Sequence, residues 1–185
     1  MDETEDRALL LRSAAGDARA FELFVRRWEA PLHRFLLRIV GHGLVDDVRQ
    51  QTLVRVLTRA ADHRGGSVTS WVFRVAYTVA INALRAERRR PEAGACALPE
   101  VLDGHADPLD EASARDERAR VHGALDRLEP PDRAVVWLRV AQGLTFPDIA
   151  AVTDVPASTV RRRYVRALAA MRRDLRATGP REALP

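Results

Sequence analysis

At 185 residues, 46% of them hydrophobic, the chain has material for one large domain or two small ones with a packed core. All 30 basic residues are Arg, and against 26 acids they leave a net charge of +4 made of planar, permanently ionised forks suited to phosphate and guanine. Cys96 is the only cysteine, which excludes an internal disulfide and a cysteine-pair zinc site; no apolar run approaches the roughly 20 residues that span a bilayer, and the acidic start Met1-Asp2-Glu3-Thr4-Glu5-Asp6 is unlike a secretory signal, so a cytoplasmic protein with no membrane insertion is expected.

The first 90 residues read as helical throughout. Asp6 to Ala14 predicts a short helix, Gly16-Asp17 breaks it with Asp17 as N-cap, and Ala18 to Val40 is a longer amphipathic stretch interrupted or kinked near Pro31. Gly41-His42-Gly43 ends that stretch. A third helix is expected from Val45 to Ala61, with Val45, Thr52, Leu53, Val56, Leu57 and Ala60 toward a core. Asp47, Gln50, Gln51 and Val54 then form an outward patch, polar with little net charge, that suits a protein partner better than DNA or is simply solvated.

After the loop Asp62 to Thr69, a fourth helix is expected from Ser70, as its N-cap, to Arg90, where Pro91 stops it. It is apolar around most of its circumference, with Val72, Phe73, Val75, Ala76, Val79, Ala80, Ile81, Ala83 and Leu84, and should be central to its domain. One narrow stripe departs from this: Arg74, Thr78, Asn82, Arg85 and Arg89, with Trp71 beside its start. An aromatic ring in line with Arg, Thr and Asn is what an unpaired nucleic-acid strand uses, by stacking and by hydrogen bonding. A solvated outer face with a half-buried Trp fits the same residues.

Charge then changes sign. Residues 1–90 hold 16 Arg against 11 acids, residues 91–129 hold 4 against 10, and residues 130–185 hold 10 against 5, so two basic modules flank an acidic connector. Residues 91–118 mix Pro, Gly, Ala and acids without sustained periodicity and read as a flexible linker that begins to become helical near Pro108-Leu109-Asp110-Glu111. A helix follows from Ala112 to Leu128 with Val121, Leu125 and Leu128 as its seam, and Glu129-Pro130-Pro131-Asp132 turns the chain into Arg133 to Gln142.

Between Leu128 and Leu175 the pattern is helix, Gly143, short helix, tight turn, long helix. Thr145-Phe146-Pro147-Asp148 reads as a capping-box start, Ile149, Ala150 and Val152 as the packing face, and Thr153-Asp154-Val155-Pro156 as the turn, with Asp154 tolerating a left-handed backbone. In the long helix Val160, Tyr164, Ala167, Leu168, Met171 and Leu175 share an apolar face; Ser158, Arg162, Val165, Arg166 and Arg173 lie opposite, flanked by Arg161 and Arg163. This is a helix-turn-helix with a basic second helix, which makes duplex DNA the first partner to test. An amphipathic helix pair with a solvated Arg face is the bland counterpart. The tail 177–185 is expected to fray.

Taken together, these segments resemble the extracytoplasmic-function sigma factors, minimal two-domain members of the bacterial primary sigma family, over nearly the whole chain. Gly16-Asp17-Ala18-Arg19-Ala20-Phe21 and Pro31-Leu32-His33-Arg34-Phe35 look like the family's opening helices, and Asp46-Asp47-Val48-Arg49-Gln50-Gln51-Thr52 is similar to its polymerase-binding segment. Ser70-Trp71-Val72-Phe73-Arg74-Val75-Ala76 is similar to its promoter-melting helix, and Leu128 to Leu175 to its C-terminal helix-turn-helix.

The resemblance implies an all-α protein of two small helical domains joined by a flexible acidic linker: residues 1–90, a linker over 91–118, and a helix-turn-helix domain over 119–176. It implies core RNA polymerase, through its β′ and β subunits, as a partner of Asp47, Gln50, Gln51 and Val54. Promoter DNA would be held at its downstream element by Trp71, Arg74, Thr78, Asn82, Arg85 and Arg89, with the loop Asp62 to Val68, and read at its upstream element by Ser158, Thr159, Arg161, Arg162 and Arg166. The linker would thread a basic RNA channel of the polymerase, and regulation would come from a separate anti-sigma factor or from expression. No cofactor, metal or catalytic residue is implied. Thr78 stands where the family often has Asn, Gln51 where an acid is common, and Ser158 and Asp154 where Gly is frequent, which bears on the promoter sequence more than on the class. The rival reading is a stand-alone helix-turn-helix regulator that binds duplex DNA without polymerase; no convergent catalytic constellation or phosphate loop favours an enzyme.

Overall fold

The computed structural model describes residues 2–63, 65–89 and 111–177, and among them every regular element is helical. Helix α1 (Glu3–Ala14) begins at Glu3 rather than Asp6 because the Asp2 carboxylate accepts the amides of Thr4 and Glu5. Helix α2 (Ala18–Val40) is capped by Asp17, which accepts the Ala20 amide at 3.0 Å, and runs through Pro31 without the expected interruption. Phe24, Trp28, Leu32, Phe35 and Ile39 form its stripe and are all buried, so packing along the whole length outweighs the one backbone bond that Pro31 removes.

Gly41, at φ 74, is a one-residue joint, and α3 (His42–Thr58) starts directly after it, ahead of the expected Val45. Val45, Thr52, Val56 and Ala60 face the core as expected, whereas Leu57 lies on the exposed side at 36%. A short 3-10 turn, Ala60–Asp62, leads toward α4 (Val68–Glu87). The cap of α4 is Ser67, whose hydroxyl oxygen accepts the Ser70 amide at 3.1 Å; Ser70, expected as the cap, sits inside the first turn. The Glu3 carboxylate also accepts from the Thr69 amide and hydroxyl at 3.2 and 2.8 Å, tying the start of α1 to the start of α4.

The second half comprises α5 (Glu111–Asp126), α6 (Pro130–Val140), α7 (Phe146–Thr153) and α8 (Ala157–Ala177). Helix α5 begins at Glu111, where the linker was expected to become helical, and Pro130 and Pro131 form the first turn of α6 instead of a turn ahead of it. The linker reading over 91–110 and the tail reading over 178–185 concern residues outside those described.

One core runs through both halves. Phe24 stacks on Trp28 at 5.8 Å, Trp28 meets Phe73 edge-on at 5.8 Å, and Phe73 meets Phe35 at 5.2 Å. The chain of rings then crosses to α6, where Trp137 packs 5.4 Å from Phe35 and 5.9 Å from Phe73. Beside it, the buried Arg133 guanidinium donates to the carbonyls of Arg38 at the end of α2, of Asp126 at the end of α5, and of Leu128. Helix ends leave carbonyls without intrahelical partners, and a cation there also meets the negative pole of the helix dipole. The Arg38 side chain, itself buried, pairs with Asp126 at 2.9 Å. No helix among the described residues is long and apolar enough to cross a membrane.

Candidate nucleic-acid interface

Three surfaces carry the residues singled out from the sequence. On α3, Asp47, Gln50, Gln51 and Val54 are all exposed, Val54 by 60%. Asp47 and Gln51 also line a groove of about 320 Å³ between α3 and α4, together with Arg55, Asn82 and Glu87. The outward patch of α3 and the polar stripe of α4 therefore meet at Asn82, an adjacency that the sequence periodicity of either helix alone does not contain.

On α4, Arg74, Thr78, Asn82 and Arg85 are exposed in one line, followed by the exposed Arg89 in the turn just past the helix, while Val72, Phe73, Ala76, Val79 and Ala80 are buried behind them. The Thr78 hydroxyl donates to the Arg74 carbonyl at 2.8 Å, so its proton is committed to the helix and its oxygen is left to accept. Arg89 Nε likewise donates to the Arg85 carbonyl at 3.1 Å. Trp71 is half-buried, its ring edge-on to His63 at 5.6 Å. Burial pushes the His63 ring toward its neutral form, with the nearby Arg7 charge adding to the effect. A cleft of about 850 Å³ separates this stripe from α7 and α8; Trp71, Tyr77 and Asn82 line one wall, Val152, Asp154 and Arg163 the other.

The helix-turn-helix forms as its sequence dictates. Thr145 Oγ1 accepts the Asp148 amide at 3.3 Å while the Asp148 carboxylate accepts the Thr145 amide at 3.0 Å, closing a capping box with Pro147 in the first turn. Asp154 ends α7 in the left-handed conformation, φ 56 and ψ 42. Val160, Ala167 and Met171 of α8 are buried, with Tyr164, Leu168 and Leu175 half-buried on the same face.

On the open side of α8, Ser158, Arg161, Arg162 and Arg166 line a groove of about 720 Å³ whose floor is Phe146, Pro147 and Val165. Thr159 is half-buried and does not line that groove. Two participants were not legible in the sequence. Phe146 packs edge-on against Tyr164 at 5.5 Å and carries the guanidinium groups of Arg139 and Arg161 over its ring at 5.1 and 5.5 Å, which holds Arg161 beside the groove. Asp132, nearly buried at the start of α6, holds Arg166 at 2.6 Å and lies 4.0 Å from Arg163. A capping-box Phe and an acid in a Pro-rich turn both read as ordinary helix starts, so only their neighbours reveal them.

Residues 24–90 match the family Sigma-70 region 2, and residues 118–171 match Sigma-70, region 4. The RNA polymerase sigma-H factor of Pseudomonas aeruginosa is 32% identical over 90% of this chain and 92% of its own, and the ECF RNA polymerase sigma-E factor of Haemophilus influenzae is 31% identical over 90% and 93%. Among solved structures, CnrH in complex with the cytosolic domain of CnrY superposes with a TM-score of 0.67 at 28% identity, covering 94% of this chain and 99% of that one. Likeness at this level, spanning both halves in the same order, does not favour a stand-alone regulator; the chain belongs to the extracytoplasmic-function sigma factors, two-domain transcription initiation factors that direct core RNA polymerase to promoters and start DNA melting.

Proposed function

We propose that the three surfaces divide the work of initiation among them. Residues 1–90 take core polymerase and the downstream element, with Asp47, Gln50, Gln51 and Val54 docking on the β′ coiled coil. Trp71, Arg74, Thr78, Asn82, Arg85 and Arg89 hold nontemplate bases flipped from the duplex. In residues 119–176, Ser158, Thr159, Arg161, Arg162 and Arg166 read the upstream element in the major groove. The connector over 91–118 threads a basic channel of the polymerase. The chain works in the cytoplasm, catalyses no reaction itself, and answers to a separate anti-sigma factor; the complex of CnrH with the cytosolic domain of CnrY supports a separate protein partner.

The observation that carries this reading is the exposed line on α4, four polar positions beside a half-buried aromatic ring on a helix otherwise packed into the core, with Arg89 just past its end. Groups so placed gain contacts only when bases leave the stack, so their binding energy favours the open over the closed promoter without ATP. Asn82→Ala and Arg85→Ala are each expected to slow strand opening roughly five- to tenfold, about one hydrogen bond's worth, as read by permanganate reactivity of unpaired thymines. Closed-complex formation through Arg162 and Arg166 should survive. Wild-type opening rates in both variants would reduce the stripe to a solvated face.

A further inference from the structure

We propose that His63 is a positioning residue for Trp71 on the strand path, and that uptake of a proton drives its ring out of place, so that strand capture weakens in acid. The inference rests on the path proposed above for α4. It concerns a side chain to which the promoter contacts assign no role.

His63 closes the 3-10 turn, its amide donating to the Ala60 carbonyl at 3.2 Å, and its ring is turned inward, only 7% exposed. Neither ring nitrogen has a hydrogen-bond partner among the described residues. The imidazole therefore acts as a packing surface. Its contact with the Trp71 indole, 5.6 Å between centroids and 75° between planes, supports a ring that is itself half-buried at the edge of the cleft.

Helix α1 lies close to the same loop. The Arg7 guanidinium comes within 4.0 Å of the point where a Cβ on Gly65 would stand, two residues past His63. Each Glu3 carboxylate oxygen accepts from Thr69, one from its amide and one from its hydroxyl, which holds that carboxylate against the start of α4. Asp6, deeper in the same helix, is paired with Arg27 at 2.7 Å. The charges felt by the His63 ring are those of Arg7 and Glu3; α4 meets it with the uncharged Trp71, and Arg59 and Asp62, from the chain just before it, line the outer cleft.

A neutral imidazole and its cation fare differently in this slot. The neutral ring buries one N–H and one lone pair without partners, whereas the cation buries two N–H donors and a full charge. Burial and the Arg7 charge both oppose the cation, and Glu3, which favours it, is engaged by Thr69. The docked ring thus binds a proton less readily than a solvated one, so acid favours the ring outside the slot. Docking is complete above the ordinary histidine value of about 6.5 and weakens as pH falls below it. Once the ring leaves, Trp71 loses its edge-on support and the strand path loses its fixed stacking face. The groove on α8 has no part in this contact, so duplex binding there is retained.

The test follows the full-length chain between about pH 5.5 and 8. In the free chain the His63 ring resonance, assigned through its contact with the Trp71 indole, should titrate below about 6.5, and the Trp71 indole resonance should shift with the same midpoint. With core polymerase, wild type and His63→Phe should open a promoter equally at neutral pH, since Phe keeps a flat ring and removes the nitrogens. Near about pH 5.5 the wild type should fall behind His63→Phe by up to about tenfold, the linkage limit one unit below the ordinary value. Arg7→Gln, at an exposed position outside the proposed DNA contacts, should move that fall to higher pH. The ring titration and Arg7→Gln decide the matter if the Phe variant does not fold. Parallel pH profiles for wild type and His63→Phe, or a ring that titrates at or above about 6.5 because it pairs with Glu3, would overturn the proposal. The ring titration needs neither polymerase nor DNA, whereas failure of the strand path shows in Asn82→Ala and Arg85→Ala at neutral pH, so the two failures are read separately.

Discussion

Asp132 shows how much a single buried carboxylate decides on a basic surface. It holds Arg166 at 2.6 Å and sits near Arg163, restricting one guanidinium at the groove and cancelling a positive charge beside it. Asp132→Asn keeps the shape and removes the charge. Binding to all upstream sequences should tighten and its salt dependence should steepen by about one phosphate contact, while discrimination between sequences falls because Arg166 is no longer held. Titrations of promoter variants at several salt concentrations measure both; an unchanged salt slope would show that Asp132 leaves the charge at the groove unaltered. At this scale the sequence was informative about exposure and poor about partners. Helical periodicity alone placed Asp47, Gln50, Arg162 and Arg166 on open faces. It gave no sign that Arg133 would serve the carbonyl of Arg38, because a contact between residues so far apart in sequence leaves no periodic trace.

At the scale of elements, capping chemistry sets the boundaries, and the errors in reading them are instructive. Ser67 and Ser70 are equally good N-cap candidates by residue type. Val68 decides between them: fully buried, it is drawn into the core and starts α4 before Ser70 is reached. Ser67→Ala should therefore cost about 1 kcal/mol, the usual worth of an N-cap, measured as a lower urea midpoint at constant m-value. Ser70→Ala should be close to neutral, since the Ser70 hydroxyl is buried without a hydrogen-bond partner among the described residues and gives up no bond when removed. Equal effects of the two substitutions would put the helix start back at Ser70. Asp17, Thr145 and Asp154 were legible because each stands alone at its break. Pro31 misled for the opposite reason, since a local rule met a helix buried along its length.

For the whole molecule, composition and charge divide the chain into two basic modules and an acidic connector, yet the described helices share one core through Phe35, Phe73 and Trp137. That difference has a thermodynamic signature. Independent modules unfold in separate steps, whereas halves joined by a desolvated Trp and a buried arginine pair unfold together as long as the seam is more stable than the difference between them. The three tryptophans are well placed to tell, with Trp28 inside the first half, Trp71 at the cleft and Trp137 at the seam. Tryptophan fluorescence and far-ultraviolet circular dichroism should give coincident urea transitions for the wild-type chain. In Arg38→Gln, which leaves Asp126 without its partner at the seam, the fluorescence transition should move to lower urea than the dichroism transition, because Trp137 becomes solvated before the helices melt. Separate transitions in the wild type would mean that the shared core contributes too little to couple the two halves.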